Sequence, residues 1–245
     1  MVELTIAHLY PDLMNLYGDR GNIISLKKRI EWYGFKCNIK NIYLSDDVDL
    51  ANIDMIFMGS GSNREQNLVY LELIKKADNL LKEIDRGLPA LFICGAYQLL
   101  GNSYKNLDGT EVNGLKFFNI YTLEQKKRLT GDILIESKIN NEIVAVVGFE
   151  NHAGKTFFED DKLLPFGTVI KGYGNNGEDN KEGLLYNNLI GTNLHGPLLP
   201  KNPKITDYFI KNMLQNKGVE LTNNLLNDEL EIYANEQTKK KILAK

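Results

Sequence analysis

The stretch Pro89-Ala90-Leu91-Phe92-Ile93-Cys94-Gly95-Ala96-Tyr97-Gln98 decides the fold. Its first half is a short apolar run with the length of a buried strand, and Cys94 stands where that strand turns into a helix. Gly95 and Ala96 are small enough to let the chain bend sharply there. Such an elbow lifts a side chain out of the carboxyl edge of a parallel sheet, where α/β proteins place their sites.

The same alternation of apolar strand and amphipathic helix fills the first hundred residues. It predicts strands over residues 2–9, 36–43, 54–58 and 89–93, and helices over 22–33, 64–86 and from 97 onward. Strands separated by helices form right-handed crossovers and a mostly parallel sheet with helices on both faces. The fold class is therefore α/β.

Beyond residue 110 the pattern changes to strands with little helix between them. Strands are predicted over 115–123, 131–137, 143–149 and 168–173, and we interpret them as including an antiparallel extension of the sheet. A final pair of short strands is predicted over 184–194. The Gly- and Asn-rich stretch 172–183 is either a lid or a surface turn. Helices are predicted over 205–215 and 228–244. We expect one domain over residues 1–216 and a helical appendage over 217–245 packed on it.

Composition excludes several classes of function. The 245 residues carry 29 Lys and Arg against 32 Asp and Glu, a net charge of −3, so no basic surface favours a nucleic-acid partner. The two cysteines are too few for a disulfide framework, which indicates a reducing compartment. No signal-like segment and no apolar run of about 18 residues occurs. We expect a soluble cytoplasmic protein without a membrane span.

Cys94 is the candidate nucleophile. A helix that begins just after it lowers the thiol pKa and offers the Gly95 N–H to an oxyanion. The loop Gly59-Ser60-Gly61 after an earlier strand can supply further N–H groups, since it lacks the lysine of a phosphate-binding loop and glycine permits close backbone approach. The alternative is that Cys94 is a small buried apolar residue. Cys37, in an ordinary strand, is interpreted as structural.

A thiolate nucleophile needs a base, and the chain has three histidines. His195, at the end of a strand and before Gly196-Pro197, is the first choice; His152, also predicted at a strand end, is the second. His8 lies within the first strand and is interpreted as a packed residue. No cluster has metal-ligand spacing, so no metal is expected. Arg128 either binds a substrate carboxylate or lies in a solvated basic turn.

Together these motifs resemble class I glutamine amidotransferases of the branch related to cobyric acid synthase. The residues that carry the resemblance are Cys94-Gly95-Ala96-Tyr97-Gln98-Leu99-Leu100-Gly101, Gly148-Phe149-Glu150-Asn151-His152 and Leu194-His195-Gly196-Pro197. Further stretches are similar to the glutaminase subunits of lipid II isoglutaminyl synthases: residues 16–22, 61–66, 128–132 and 172–176. The resemblance covers residues 2–215 and implies an amidotransferase-like sheet.

The resemblance also implies a reaction. Cys94 would attack the side-chain amide of L-glutamine, His195 would act as base, and Arg128 would hold the substrate carboxylate. Gly59, Gly61 and Gly95 would stabilise the oxyanion, while Gln98 either positions substrate or is a surface helix residue. The ammonia would pass to a Mur-ligase-like synthetase subunit, which binds ATP and magnesium and amidates the α-carboxyl of D-glutamate in lipid II. No cofactor is expected in this chain.

Two alternatives remain open. The ammonia could serve another acceptor such as a corrinoid carboxylate, or the chain could be a noncatalytic binding module of the same fold. Two departures from the wider family pattern also stand out, since Ile93 precedes the cysteine and Pro197 occupies the place of the acid that usually follows the histidine. Asp19 and Glu150 are candidates for that acid. We hypothesise instead that the synthetase partner donates it across the interface.

Overall fold

The centre of the molecule is a six-stranded sheet in a computed structural model that describes residues 2–47, 49–221 and 226–244. Its strands are β1 (Glu3–Leu9), β2 (Lys36–Ile42), β3 (Met55–Met58), β4 (Ala90–Ile93), β11 (Leu184–Tyr186) and β12 (Leu189–Thr192). Their order across the sheet is β11-β12-β4-β3-β1-β2, and every pairing is parallel except that of β11 with β12. All residues of β3, β4 and β12 are buried, as expected of strands covered on both faces.

Helices cover both faces of this sheet, which confirms the predicted fold class. On one face lie α2 (Asn63–Leu73), α3 (Ala77–Asp85) and α4 (Gly95–Leu99), whose apolar residues pack with those of β1, β3 and β4. On the other face lie α1 (Arg20–Trp32), α5 (Leu198–Lys201) and α6 (Pro203–Asn216). Side chains of β1 on opposite faces of the sheet belong to different cores, as Leu4 and Ala7 do.

The helical stretch predicted over 64–86 is confirmed, but it is bent. The chain forms α2, a 3-10 turn over Ile74–Lys76 and then α3. Lys76 leaves the helical conformation, with φ −117° and ψ 4°. The break lets Val69 and Leu73 of α2, and Leu80 and Ile84 of α3, pack into the same core. An apolar pattern alone does not reveal such a bend, because both halves keep helical periodicity.

Within the described residues a second sheet of seven strands stands beside the first. A long hairpin of β7 (Ile120–Ile139) and β8 (Glu142–Phe158) dominates it, and the shorter strands are β5 (Ser103–Lys105), β6 (Glu111–Asn113), β9 (Gly167–Lys171), β10 (Lys181–Glu182) and β13 (Leu194–His195). Its pairings are antiparallel except that of β5 with β7. Most of the strands predicted beyond residue 110 thus form a sheet of their own, whereas β12 extends the first sheet by pairing parallel with β4, and β11 adds an antiparallel edge strand to it.

The predicted strands 115–123 and 131–137 are parts of one strand. The strand begins at Ile120 and runs through a register shift between Glu124 and Leu129. The polar stretch between those two residues looks like a turn in the sequence, but it forms a bulge opposite β8. Likewise β8 does not stop at Phe149, because it continues to Phe158.

The C-terminal helix α7 (Glu229–Leu243) packs on the β7–β8 hairpin. Its Ile242 joins Leu134 and Val147 in a small apolar cluster, and Asn235 donates to the carbonyl of Lys201 at 2.8 Å. Of the predicted appendage, residues 222–225 and 245 lie outside the described residues, and the boundary at 216 stays a prediction. In the part of the chain that the structure describes, no helix is both long and apolar enough to span a bilayer.

A buried arginine anchors the two C-terminal helices. Arg29 of α1 is 3% exposed and donates to both oxygens of Asp207 in α6, at 2.6 and 2.7 Å. It also donates to both oxygens of Asp228, just before α7, at 2.7 and 2.5 Å. Because the guanidinium presents a planar fork of donors, it can serve two carboxylates at once.

We predict that Arg29→Met lowers the free energy of unfolding by about 3 kcal/mol, since it leaves two carboxylates without their buried partner. Urea denaturation measures the loss. Lys28→Met is the matched control, because Lys28 is exposed and pairs with Glu31 alone among the described residues, so its loss should cost less than about 0.5 kcal/mol. Equal losses in both variants would contradict the anchoring role of Arg29.

Candidate active site

Cys94 stands at a strained elbow between β4 and α4. Its backbone has φ 49° and ψ −102°, an uncommon conformation for a residue with a side chain. Two hydrogen bonds hold it there: Cys94 N–H donates to the Thr192 carbonyl at 2.7 Å, and Gln98 N–H donates to the Cys94 carbonyl at 2.9 Å. The surrounding structure therefore stabilises a conformation that costs about 1–3 kcal/mol by itself.

The predicted glycines bring two loops into contact at this elbow. A Cβ on Gly59 would lie 2.5 Å from the Met14 carbonyl, one on Gly61 2.5 Å from the Met14 sulfur, and one on Gly95 2.6 Å from Nε2 of Gln66. Gln66 Nε2 also donates to the Gly61 carbonyl at 3.0 Å. A side chain at 59 or 61 would therefore collide with Met14, and one at 95 with Gln66.

His195 is oriented by an acid from the same chain. Its Nδ1 lies 3.0 Å from Oδ1 of Asp19, and both side chains are buried. A carboxylate accepts hydrogen bonds, so Nδ1 carries the proton and the other ring nitrogen, Nε2, is left for Cys94. The other Asp19 oxygen accepts the Ser60 N–H at 2.9 Å. Asp19, one of the two candidates from the sequence, therefore takes the role that Pro197 cannot, and the hypothesis of an acid donated by a partner subunit is wrong.

The electrostatics favour a thiolate and an imidazolium. Burial raises the pKa of Cys94, but its interaction with His195, the charge of His152 and the Ser60 hydroxyl outweigh burial and hold the pKa below its usual value. Burial lowers the pKa of His195, yet the hydrogen bond to Asp19 and the interaction with the nearby Cys94 thiolate raise it to about 10. Each partner stabilises the charged form of the other.

Two backbone N–H groups near Cys94, those of Ser60 and Gly95, already have hydrogen-bond acceptors. The Ser60 N–H is bound to Asp19, whereas Gly95 N–H makes a long bond of 3.3 Å to the Ser60 hydroxyl. The Gly95 bond is the weaker of the two and is the easier to exchange for a ligand atom. Ser60 therefore links the glycine loop, the elbow and Asp19.

Arg128 is connected to His195 through Tyr17, which contacts both side chains. Arg128 lies in the bulge of β7, where its Nε donates to the Asn151 side-chain oxygen at 2.9 Å and its Nη2 donates to the Asn151 carbonyl at 2.8 Å. Nη2 also approaches the Tyr17 hydroxyl at 3.4 Å, and the Tyr17 ring packs edge-on against His195 with centroids 4.8 Å apart. Tyr17 and Asn151 are site residues that sequence reasoning missed, because neither carries a charge or a nucleophile.

The structure also decides between the interpretations of three further residues: Gln98, Cys37 and His8. Gln98 is 5% exposed and its Nε2 lies against Gly154, so the alternative of a surface helix residue is wrong. Cys37 is half-buried, and burial raises its pKa to about 11. His8 packs against Phe57 with ring centroids 5.1 Å apart, as predicted for a packed histidine.

His152 and Glu150 differ from the expectation in position. His152 lies within β8 instead of at a strand end, is 2% exposed and donates from Nδ1 to the Gly154 carbonyl at 2.7 Å. Glu150 accepts the N–H groups of Tyr173 and Gly174 at 2.7 and 2.9 Å, so it does not orient His195. Those bonds tie the start of the 172–183 stretch to β8.

Comparison with known proteins agrees with this geometry. Residues 5–203 match the model of the CobB/CobQ-like glutamine amidotransferase domain. The chain belongs to this family. Within the family, it is 45% identical to the glutamine-hydrolyzing subunit GatD of lipid II isoglutaminyl synthase from Staphylococcus aureus, over 96% of this chain and 94% of the relative. Identity to the subunit of the same name from Streptococcus pneumoniae is 39%, over 88% and 82% of the two chains.

Solved structures agree on the fold. A chain of the PurLQS structure from Thermotoga maritima superimposes with a TM-score of 0.60 at 17% identity, covering 89% of this chain and all of that one. The described residues contain no group of three or more His, Cys, Asp or Glu side chains arranged to hold a metal ion. The titratable groups at the elbow are instead arranged around the Cys94 sulfur.

We predict that Asp19→Asn lowers the pKa of His195, because the amide removes the negative charge and the hydrogen-bond acceptor that favour the imidazolium. An NMR titration of the histidine ring signals measures the change directly. Asp12→Asn is the matched control, since Asp12 is an exposed carboxylate on the same N-terminal loop. An unchanged His195 pKa in Asp19→Asn would show that another group orients the ring.

Proposed function

We propose that this chain hydrolyses L-glutamine to glutamate and ammonia as the glutaminase subunit of a lipid II isoglutaminyl synthase. The observation that carries the chemistry is the buried arrangement of Cys94, His195 and Asp19 at the elbow. The two GatD relatives support this particular synthase, because they match nearly the whole length of the chain.

The reaction begins with attack of the Cys94 thiolate on the side-chain carbonyl carbon of glutamine. The Gly95 N–H and the backbone around Gly59 and Gly61 stabilise the oxyanion. The His195 imidazolium gives its Nε2 proton to the departing ammonia as the carbon–nitrogen bond breaks, which leaves a thioester. Neutral His195 then takes a proton from water, whose oxygen attacks the thioester, and glutamate leaves as the Cys94 thiolate forms again.

Substrate recognition falls to Arg128 and Gln98. None of the three hydrogen bonds of Arg128 uses Nη1, which leaves a charged donor for the α-carboxylate of glutamine at the mouth of the site. Gln98, buried in the first turn after Cys94, contributes an amide from the inner side. Tyr17 covers His195 and joins the Arg128 mouth to the elbow.

The ammonia passes to a Mur-ligase-like synthetase subunit, which amidates the α-carboxyl of D-glutamate in lipid II. That subunit binds ATP and magnesium, and this chain needs no cofactor of its own for glutamine hydrolysis. Both subunits act in the cytoplasm, where ATP and glutamine are available. The acid that orients His195 comes from this chain, so the partner's role is to receive ammonia.

We predict that Cys94→Ala lowers the kcat of glutamine hydrolysis by at least about 1,000-fold, because the covalent intermediate can no longer form. Release of glutamate by the synthase complex is the measurement. Cys37→Ala should leave the rate unchanged, since Cys37 lies in β2, away from the elbow. Retained activity in Cys94→Ala would refute the mechanism and revive the alternative of a noncatalytic module.

Arg128→Ala is expected to raise the KM for glutamine by about 10-fold or more with a smaller change in kcat, since a charge-assisted contact contributes roughly 1.5–3 kcal/mol. Lys127→Ala is the control, an adjacent exposed cation of the same strand. An unchanged KM in Arg128→Ala would show that Arg128 does not bind the substrate and is instead a solvated basic residue.

The acceptor is tested by reconstituting the chain with its Mur-ligase-like synthetase and supplying ATP, magnesium, glutamine and lipid II. Glutamine-dependent gain of one amide on the D-glutamate α-carboxyl supports the proposal. Glutaminase activity without amidation of lipid II, but with amidation of a corrinoid carboxylate, would overturn the assignment of the acceptor while leaving the hydrolysis in place.

A further inference from the structure

Glu150 and His152 are buried side chains near Cys94 that the reaction described above does not use. Both belong to β8, which pairs with β13 so that Glu150 lies opposite Leu194 and Phe149 opposite His195. Because side chains alternate along a strand, Glu150 and His152 share one face. Their side chains are 0% and 1% exposed, so the pair is buried, on the face of β8 opposite to that of Phe149 and His195. Gly154, on the same face as the pair, faces Gln98 of the first turn after Cys94.

The protonation of His152 is determined by one contact. Nδ1 lies 2.7 Å from the Gly154 carbonyl, which only accepts hydrogen bonds, so Nδ1 carries a proton. Nε2 is buried and has no hydrogen-bond partner among the described residues. The opposite charge facing Nε2 is the Glu150 carboxylate at 3.8 Å, close enough for strong electrostatic interaction. A second proton on Nε2 would make the ring a cation that faces the Glu150 carboxylate.

Glu150 is held in place by the backbone of the 172–183 stretch. One oxygen accepts the Tyr173 N–H and the other accepts the Gly174 N–H. Gly172 has φ +122°, and a Cβ there would lie 2.9 Å from the Glu150 oxygen. Glycine at 172 thus permits the loop to approach the carboxylate closely. The loop fixes the distance between Glu150 and His152.

The charges around the pair favour an imidazolium at His152. Burial lowers its pKa, but Glu150 and the Cys94 thiolate raise it by more. In return, the charge of His152 lowers the pKa of Cys94. The other titratable groups here are His195 with Asp19, Tyr104, whose pKa burial raises so that it stays neutral, and Glu182 of β10, whose pKa burial raises to about 7.

We propose that Glu150 and His152 form a second ion pair that keeps Cys94 in the thiolate form, while His195 alone transfers the proton. His152 is a positioning residue, and the loop at Tyr173 and Gly174 sets its charge through Glu150. The proposal rests on the assignment of Cys94 as the nucleophile and deepens it. The thiolate is then stabilised from two sides, by His195 with Asp19 and by His152 with Glu150.

The test measures the pH dependence of Cys94 alkylation by iodoacetamide in the full chain, in a Cys37→Ala background. His152→Gln is expected to raise the pKa of Cys94 by about one unit or more, because a cation is lost while the side-chain amide can still donate to the Gly154 carbonyl. His8→Gln should leave this pKa unchanged, since His8 is equally buried and also has an unpartnered Nε2. An unchanged Cys94 pKa in His152→Gln would overturn the proposal.

Glu150→Gln tests the direction in which the pKa of Cys94 shifts. If Glu150 acts through His152, its neutralisation raises the pKa of Cys94, because the imidazolium loses its partner. If the carboxylate acts directly on the thiol, neutralisation lowers that pKa and the proposal fails. In a His152→Gln background, Glu150→Gln should give no further rise. His152→Asn, with its shorter amide, replaces His152→Gln if thermal unfolding shows that the Gln variant does not fold.

Alkylation needs no glutamine, so this experiment is independent of turnover. A shifted Cys94 pKa in a chain without glutaminase activity would support the ion pair and refute the proposed function. Full glutaminase activity together with an unshifted Cys94 pKa in His152→Gln would support the proposed function and refute the ion pair. In the active complex, His152→Gln should lower kcat less than His195→Gln does, and it should move the acid limb of the pH profile upward.

Discussion

The buried carboxylate of Asp19 is the group on which the site depends. A fully buried charge is tolerated when hydrogen bonds and an opposite charge compensate for its lost hydration, and here these come from the Ser60 N–H and His195. Gly59 leaves room for it, since a Cβ there would lie 3.0 Å from the Asp19 Cβ. One side chain from the N-terminal loop thereby aligns the glycine loop and the base with the elbow at Cys94.

Local patterns in the sequence were enough to predict the elbow. A short apolar run followed by Cys94-Gly95-Ala96 specifies strand, turn and helix within ten residues, and the glycines at 59, 61 and 95 mark where two loops must touch. The alternation of strands and helices likewise predicted the parallel sheet. His195 was identified because glycine and proline after a strand mark a tight exit at the same sheet edge.

Other features depend on contacts between distant residues. Asp19 and His195 are separated by 176 positions, and nothing in either neighbourhood indicates that they meet. The charged stretch between Glu124 and Arg128 resembles a turn, but the partner strand β8 converts it into a bulge within β7. For the same reason His152 was placed at a strand end, although β8 continues well past it. Pairing partners, which local composition does not encode, decide these cases.

The path of the chain between β12 and β13 has a mechanical consequence. Thr192 pairs within the first sheet, whereas Leu194 and His195 pair with β8 of the second, so Asn193 is the single residue between the two. Cys94 follows a strand of the first sheet, and His195 belongs to a strand of the second. The distance between the Cys94 sulfur and the His195 ring therefore depends on how the two sheets lie against each other. A small tilt of the β7–β8 hairpin against the parallel sheet would change that distance.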